Sequence, residues 1–272
     1  MRTIRLFLIA LALAATSACA VDEGPVTGRA ALVTSPEQPV RLLHAEMDFA
    51  CDYDNTGACN SPRYRVTAVV EVQNLAYDKA VALFGTWAYH TGAWDNLAFG
   101  QYVGPAGDGA EYWRVTSDWH AGTLWGQSAT FSVRYDVAGH SYWDNNDSAD
   151  YCLGRNRSPC NQQVLGASNV ALTETFPTVS RFAGRVQVKN LAYDKVVRVV
   201  YTTDDWATVN DTYASYNYSQ GYDTEFWTFD SEMSETARQV EFAIEYQVDG
   251  QSYWDNNARQ NYRVDIPAPA SP

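Results

Sequence analysis

The stretch Glu241-Phe242-Ala243-Ile244-Glu245-Tyr246-Gln247-Val248-Asp249-Gly250-Gln251-Ser252-Tyr253-Trp254-Asp255-Asn256-Asn257 decides the fold. Phe242, Ile244, Tyr246 and Val248 alternate with Glu241, Ala243, Glu245 and Gln247, the period-two pattern of a half-buried antiparallel strand. Asp249-Gly250 is a favoured two-residue hairpin turn, so Val248 is expected to pair with Gln251, Tyr246 with Tyr253 and Glu245 with Trp254. Residues directly opposite across two strands project to one side. Tyr253 therefore joins the apolar face and Trp254 the polar one. Asn and Asp after the Trp suit a turn on their own account. A flat apolar plate beside forked amides also suits a sugar ring.

The stretch has a twin. Phe131, Val133, Tyr135 and Val137 alternate with Thr130, Ser132, Arg134 and Asp136, and Gly139-His140-Ser141-Tyr142-Trp143-Asp144-Asn145-Asn146 follows. The same counting from Ala138-Gly139 puts Tyr142 inward and Trp143 outward. Upstream, Val72-Gln73-Asn74-Leu75-Ala76-Tyr77-Asp78-Lys79 is answered by Val188-Lys189-Asn190-Leu191-Ala192-Tyr193-Asp194-Lys195. Motif order and separation agree, which marks a tandem duplication of a unit of about 100 residues. Val69, Val72, Val186, Val188 and 196–201 add strands, and no stretch has helical spacing. The expected architecture is all-β: two tandem antiparallel β-sandwiches, 38–160 and 168–265, joined by a polar link at 161–167. A disordered tail is expected at 266–272.

Residues 1–20 have the form of a secretory signal: Arg2 and Arg5, the apolar run 6–15, then Thr16-Ser17-Ala18-Cys19. The run is too short to span a bilayer. Ala18-Cys19-Ala20 fits an ordinary cleavage site, and Thr-Ser-Ala-Cys also resembles a lipobox in which Cys19 is lipidated. Residues 21–37, with Gly24-Pro25, Ser35-Pro36 and further small or polar residues, suit a flexible tether. The expectation is an exported protein, either secreted or anchored to the cell envelope.

Setting Cys19 aside leaves Cys51, Cys59, Cys152 and Cys160, two pairs of C-x7-C spacing in an even set. Two local disulfides are expected, although four cysteines allow three connectivities. No His stands at finger-like spacing to favour zinc. The loop Asp52-Tyr53-Asp54-Asn55-Thr56-Gly57 resembles a calcium loop but lacks the late Glu, so no metal or cofactor is expected.

With 19 Lys+Arg against 32 Asp+Glu, the chain has little to neutralise phosphates, which argues against nucleic acid or anionic membrane as partner. Aromatics make up 14%, with nine Trp and eighteen Tyr, a composition that suits a binding surface. Catalysis finds little support. Glycosidases need two carboxylates across a cleft, and no partner for Asp144 or Asp255 repeats in both units. The four His have no counterparts in the second unit, and no nucleophile elbow or phosphate loop is present.

The motif 188–195, Tyr-Thr-Thr-Asp-Asp-Trp (201–206), Glu-Phe-Ala-Ile-Glu-Tyr (241–246) and Tyr-Trp-Asp-Asn-Asn with Asn261-Tyr262 resemble carbohydrate-binding module family 21. That family includes starch-binding domains of fungal glucoamylases and glycogen-targeting subunits of protein phosphatase 1. The resemblance covers nearly all of 168–265 and, more loosely, 38–152. It implies an immunoglobulin-like sandwich in each unit, and α-1,4-glucan as ligand at up to two places per unit. In the second unit it assigns Trp206, Trp254, Asn256 and Asn261 to a first site, and Tyr193, Lys195 and Tyr216 to a second. In the first unit the equivalents are Trp94, Trp143 and Asn145, then Tyr77, Lys79 and Tyr102. The family's further stacking aromatic is replaced by Ala243 and Ser132, and Asn261 by Asp150 in the first unit, which implies a weaker first site. No basic-Val-x-Phe phosphatase-docking segment precedes the first unit, and protein partners are not indicated. The rival readings are an enzyme of α-glucan breakdown and an adhesion or scaffold protein that binds no sugar.

Overall fold

The computed structural model describes residues 38–268 apart from 90, 91, 156 and 222. The signal, Cys19 and the tether therefore lie outside the described residues, as do the last four residues of the expected tail. Every regular element described is a strand. No helix among the described residues is long and apolar enough to cross a membrane.

The first unit runs β1 (Val40–Ala50), β2 (Arg63–Gln73), β3 (Lys79–Thr86), β4 (Asp95–Gly107), β5 (Ala110–Thr116), β6 (His120–Ala121), β7 (Ser128–Val137), β8 (His140–Asp144), β9 (Tyr151–Gly154) and β10 (Gln163–Leu165). The second runs β11 (Val170–Thr175), β12 (Arg181–Lys189), β13 (Lys195–Thr202), β14 (Asn210–Tyr213), β15 (Ser215–Gln220), β16 (Thr224–Glu232), β17 (Gln239–Val248), β18 (Gln251–Asp255) and β19 (Tyr262–Asp265). In the second unit a sheet ordered β11-β12-β16-β15 faces one ordered β14-β13-β17-β18, with β19 also on β17. Alternate apolar residues interlock between them: Phe182, Val186 and Phe229 from one, Val199, Phe242, Ile244 and Tyr246 from the other, all buried. The first unit has the same layers, with Val66, Val70 and Val115 against Leu83, Phe131, Val133 and Tyr135.

Apart from β6 and β10, which have no counterpart in the second unit, the units differ at one strand. In the first, β4 pairs β3 at one end and β5 at the other, so both layers join into one continuous sheet. In the second, the corresponding chain is split into β14 and β15 around Ala214. Gly100 stands two residues before Tyr102 as Ala214 stands two before Tyr216. A Cβ at Gly100 would press to 3.1 Å from Val115 Cγ2 and 3.3 Å from the Val81 carbonyl. Glycine thus lets β4 pass unbroken between the layers.

Both hairpins have the expected register, Glu245 opposite Trp254 and Arg134 opposite Trp143. Their turn residues are left-handed at both positions, φ 49° and 79° at Ala138-Gly139 and 49° and 70° at Asp249-Gly250. Both disulfides are those expected, Cys51–Cys59 and Cys152–Cys160, with Cα–Cα distances of 5.7 and 5.5 Å. The Asp54 carboxylate is spent within its own loop, accepting from the Thr56 and Ala58 amides and the Thr56 hydroxyl.

Three details add to the expected pattern. Within the polar link at 161–167, Gln163–Leu165 pairs with β1 and the Gln163 side chain bonds Leu172 and Thr173 of the second unit. Ile266, expected to open a disordered tail, is buried in the second core, its amide bonded to the Arg238 carbonyl. The polar side of β7 is also partly covered. Thr130 and Ser132 are buried because the loop after β3 and the turn after β8 fold over them, through Ala88 O and Asp150.

Candidate functional site

The outward hairpin residues, the following turn and the loop after β3 or β13 meet at one end of each unit. Tyr142 and Tyr253 pack against the cores as expected. Asp144 accepts from the Leu42 amide at 2.6 Å and from the Tyr151 hydroxyl, and Asp255 repeats this with Leu172 at 2.7 Å and Tyr262. Charge-assisted bonds of this kind are strong, and they tie each hairpin to the first strand of its unit. Both carboxylates are structural.

Beyond each Asp the turn takes an unusual path. Asn146, Asp147, Ser148 and Asp150 all have positive φ, as do Asn257, Ala258, Arg259 and Asn261. Such residues cost on the order of 1–2 kcal/mol each and persist where surrounding bonds over-determine them. The bonds are present. Asp150 and Asn261 donate their amides to the carbonyls of Asn145 and Asn256, at 2.8 Å in both units. Asn145 Oδ1 accepts from the Ser148 amide and Asn256 Oδ1 from the Arg259 amide. Each Asn thus holds its own turn.

The two units furnish this end differently. In the first, Phe84 lies between Trp94 and Trp143, at ring-centroid distances of 5.9 and 5.6 Å. The Arg134 guanidinium stands over both Phe84 and Trp143. Phe84 sits opposite Ser132, so its ring stands on the same side of the sheet as Ser132. In the second unit Trp206 Nε1 donates to Glu241 Oε1 at 2.7 Å, and Asn261 Nδ2 donates to the same oxygen at 2.8 Å. Burial pushes the Glu241 carboxyl up, but the bonds from Asn261 and Trp206 and the Arg263 guanidinium outweigh it and hold its pKa below the usual value. The Asn261-to-Asp150 exchange has a local reason: Asp150 accepts from Ser132 Oγ, whereas Ala243 offers no hydroxyl and Asn261 turns to Glu241. Trp143 is 41% exposed. Trp254 is only half-buried, since it lines a crevice shared with His44 and Tyr112 of the first unit.

A second constellation lies at the other end of each unit and is nearly identical in both. Tyr77 and Tyr193 are 97% and 96% exposed. Two residues on, the side chains of Lys79 and Lys195 are almost fully buried, 2.9 and 3.0 Å from Glu111 and Glu225. Lys79 also reaches Asn74 Oδ1, and Lys195 reaches Asn190 Oδ1. The same Glu residues accept from Trp113 Nε1 at 3.1 Å and Trp227 Nε1 at 3.0 Å. Tyr102 meets Trp113 edge-on at 6.1 Å and Tyr216 meets Trp227 edge-on at 6.2 Å. Tyr102 and Tyr216 are each more than half exposed. Both thus hold equivalent places, although their loops differ in sequence.

All thirteen residues singled out for contact therefore fall in two places per unit. Glu111, Glu225, Trp113, Trp227, Phe84 and Glu241 were missed. A repeated Glu-x-Trp, at Glu111-Tyr112-Trp113 and Glu225-Phe226-Trp227, was the available signal. Lys79 and Lys195, expected as ligand contacts, are paired with Glu111 and Glu225.

A family model described as carbohydrate/starch-binding module (family 21) matches residues 54–154 and 164–265. Protein phosphatase 1 regulatory subunit 3B of Rattus norvegicus is 38% identical over 128 residues, covering 43% of this chain and 40% of that protein. Glucoamylase 1 of Rhizopus oryzae is 38% identical over 97 residues, covering 34% of this chain and 15% of that enzyme. The chain thus spans well under half the length of these relatives. Among solved structures, the starch-binding domain of Rhizopus oryzae glucoamylase, in complex with β-cyclodextrin and maltoheptaose, is 37% identical. The likeness covers 36% of this chain and 92% of that one, with a TM-score of 0.32.

Proposed function

This chain belongs to the carbohydrate/starch-binding modules of family 21, and from that premise we propose that its two units hold α-1,4-glucans without chemically altering them. The observation that carries this reading is the duplicated platform. Tyr77 and Tyr193 stand almost wholly in water, beside a Lys–Glu–Trp brace that fixes Tyr102 and Tyr216. Exposed rings with buried polar support suit the C–H faces of a glucose unit. In this reading Tyr77, Tyr102, Tyr193 and Tyr216 stack, and Lys79 and Lys195 keep the platform rigid. Trp94, Trp143 and Asn145, with Trp206, Trp254, Asn256 and Asn261, form the other contact surfaces. Phe84 and Arg134 strengthen the first unit's version, and the crevice at Trp254 narrows the second's.

A non-catalytic role fits the carboxylates, because Asp144 and Asp255 are committed to backbone amides and tyrosine hydroxyls. Each unit alone is expected to bind with a dissociation constant on the order of 0.1–1 mM. Two units on one chain raise avidity for a polymer that engages both. Export belongs to the same proposal: signal 1–20, with or without a lipid on Cys19, and tether 21–37 present the units outside the cell.

The experiment is a pull-down of purified protein on insoluble starch, glycogen and cellulose, with a reducing-sugar assay alongside. Retention on the first two without sugar release is expected. Released sugar would point to an enzyme, and no retention on either α-glucan to a scaffold protein.

A further inference from the structure

Between the two units lies a groove of about 550 Å³, within the range of ligand sites. Its first-unit wall includes Asn146, on the turn after Trp143, and Asn161. Its second-unit wall includes Gln187 on β12 and Gln220 at the end of β15, the strand that carries Tyr216. Gln220 Nε2 donates to Asn161 Oδ1 at 2.6 Å, so the walls are bridged at one point. Gln187 is 1% exposed and its Oε1 has no hydrogen-bond partner among the described residues. A buried acceptor without a partner is costly and uncommon.

The lining also selects a ligand class. Asp150 and Asp223 face the groove, and among the described residues no Lys, Arg or His lines it. An anion is therefore disfavoured, while amides and carboxylates suit the hydroxyls of a neutral polyol. The groove leads from the turn beside Trp143 to the hairpin that carries Tyr216.

We propose that this groove is a further carbohydrate site, in which one α-glucan segment crosses from the first unit to the second over the buried Gln187, its hydroxyls meeting the side chains of Asn146, Asn161 and Gln220. The proposal rests on the glucan reading above. It makes the pair of units one extended binding surface, so longer oligosaccharides bind better than the separate platforms allow.

The test is calorimetric titration of the full chain with maltoheptaose and maltotriose. Three variants are compared with the unaltered protein: Asn161→Trp, which plugs the groove from an exposed position, Gln220→Ala and Gln187→Leu. Thermal unfolding identifies any variant that fails to fold, and the Gln220 truncation is the mildest of the three. Each folded groove variant is expected to lose about fivefold or more in maltoheptaose affinity, a difference of about 1 kcal/mol. Maltotriose binding and starch retention stay near the unaltered values. Retention on starch with unchanged maltoheptaose affinity in the folded variants would overturn the groove alone. Failure of the unaltered chain to bind starch would overturn the glucan reading and the groove with it.

Discussion

Lys195 Nζ lies 3.0 Å from Glu225 Oε1, and both side chains are almost closed to solvent. Lys79 and Glu111 repeat the pair at 2.9 Å in the first unit. Removing one member of a buried pair leaves an uncompensated charge, which costs about 3–5 kcal/mol. Glu225 also accepts from Trp227. Glu225→Ala should therefore destabilise the protein by about 3 kcal/mol in urea unfolding, with weaker glucan binding. A loss below about 1 kcal/mol would show the pair to be open to water.

The Asp255 carboxylate serves the Leu172 amide and the Tyr262 hydroxyl together. Asp255→Ala leaves three donors unpaired, the Asn257 amide included, and should cost about 2–4 kcal/mol. Asp144→Ala should cost a similar amount, since Leu42 and Tyr151 occupy the same roles. If the two losses differ several-fold in denaturant titrations, the units do not share this device.

Glu46 on β1 has its pKa raised to about 7, by burial first and then by Asp48 and by Asp255 of the other unit. A raised acid favours its neutral form in the folded protein. Its contribution is therefore complete below the unfolded value near 4.5 and is lost as pH rises through about 7. Glu46→Gln should be more stable than the unaltered protein at pH 8, by about 1–3 kcal/mol. The two should converge near pH 4.5. His44, whose pKa burial lowers, is present in both proteins, so the difference isolates Glu46. Equal stability at both pH values would contradict the assignment.

Cys152–Cys160 closes a short loop over the end of β9. Replacing both cysteines by Ser should lower stability by about 2–3 kcal/mol, read as a drop in Tm. Maltotriose binding at the Tyr193–Tyr216 platform of the second unit should be unaffected, although both cysteines line the groove between the units. A loss of binding there would place the disulfide in contact with the binding surface.

The hairpins were legible in the sequence because an Asp-Gly or Ala-Gly turn fixes register, and register fixes which way Trp143 and Trp254 point. The duplication was legible because matching motifs recur in order. The braces were not, because Glu111 meets Lys79 only after β5 and β3 are placed side by side in space. Phe84 was hidden for a related reason: nothing local to β3 says that its ring will stand between Trp94 and Trp143. Contacts across the seam, such as Arg114 to Asn257 at 2.5 Å, depend on how two finished sandwiches pack. No hydrophobic pattern within either unit encodes that. Ile266 was lost to a Pro- and Ala-rich ending that looked disordered, although one apolar residue there was enough to complete the core.

The most direct measurement is retention of the full chain on insoluble starch, compared with Tyr77→Ala/Tyr193→Ala and Trp143→Ala/Trp254→Ala, with circular dichroism as a check on the fold. The unaltered protein should be retained. Removing the tyrosine pair should weaken retention about tenfold or more, and removing all four rings should abolish it while leaving the fold intact. Undiminished retention by the folded four-ring variant would contradict the account.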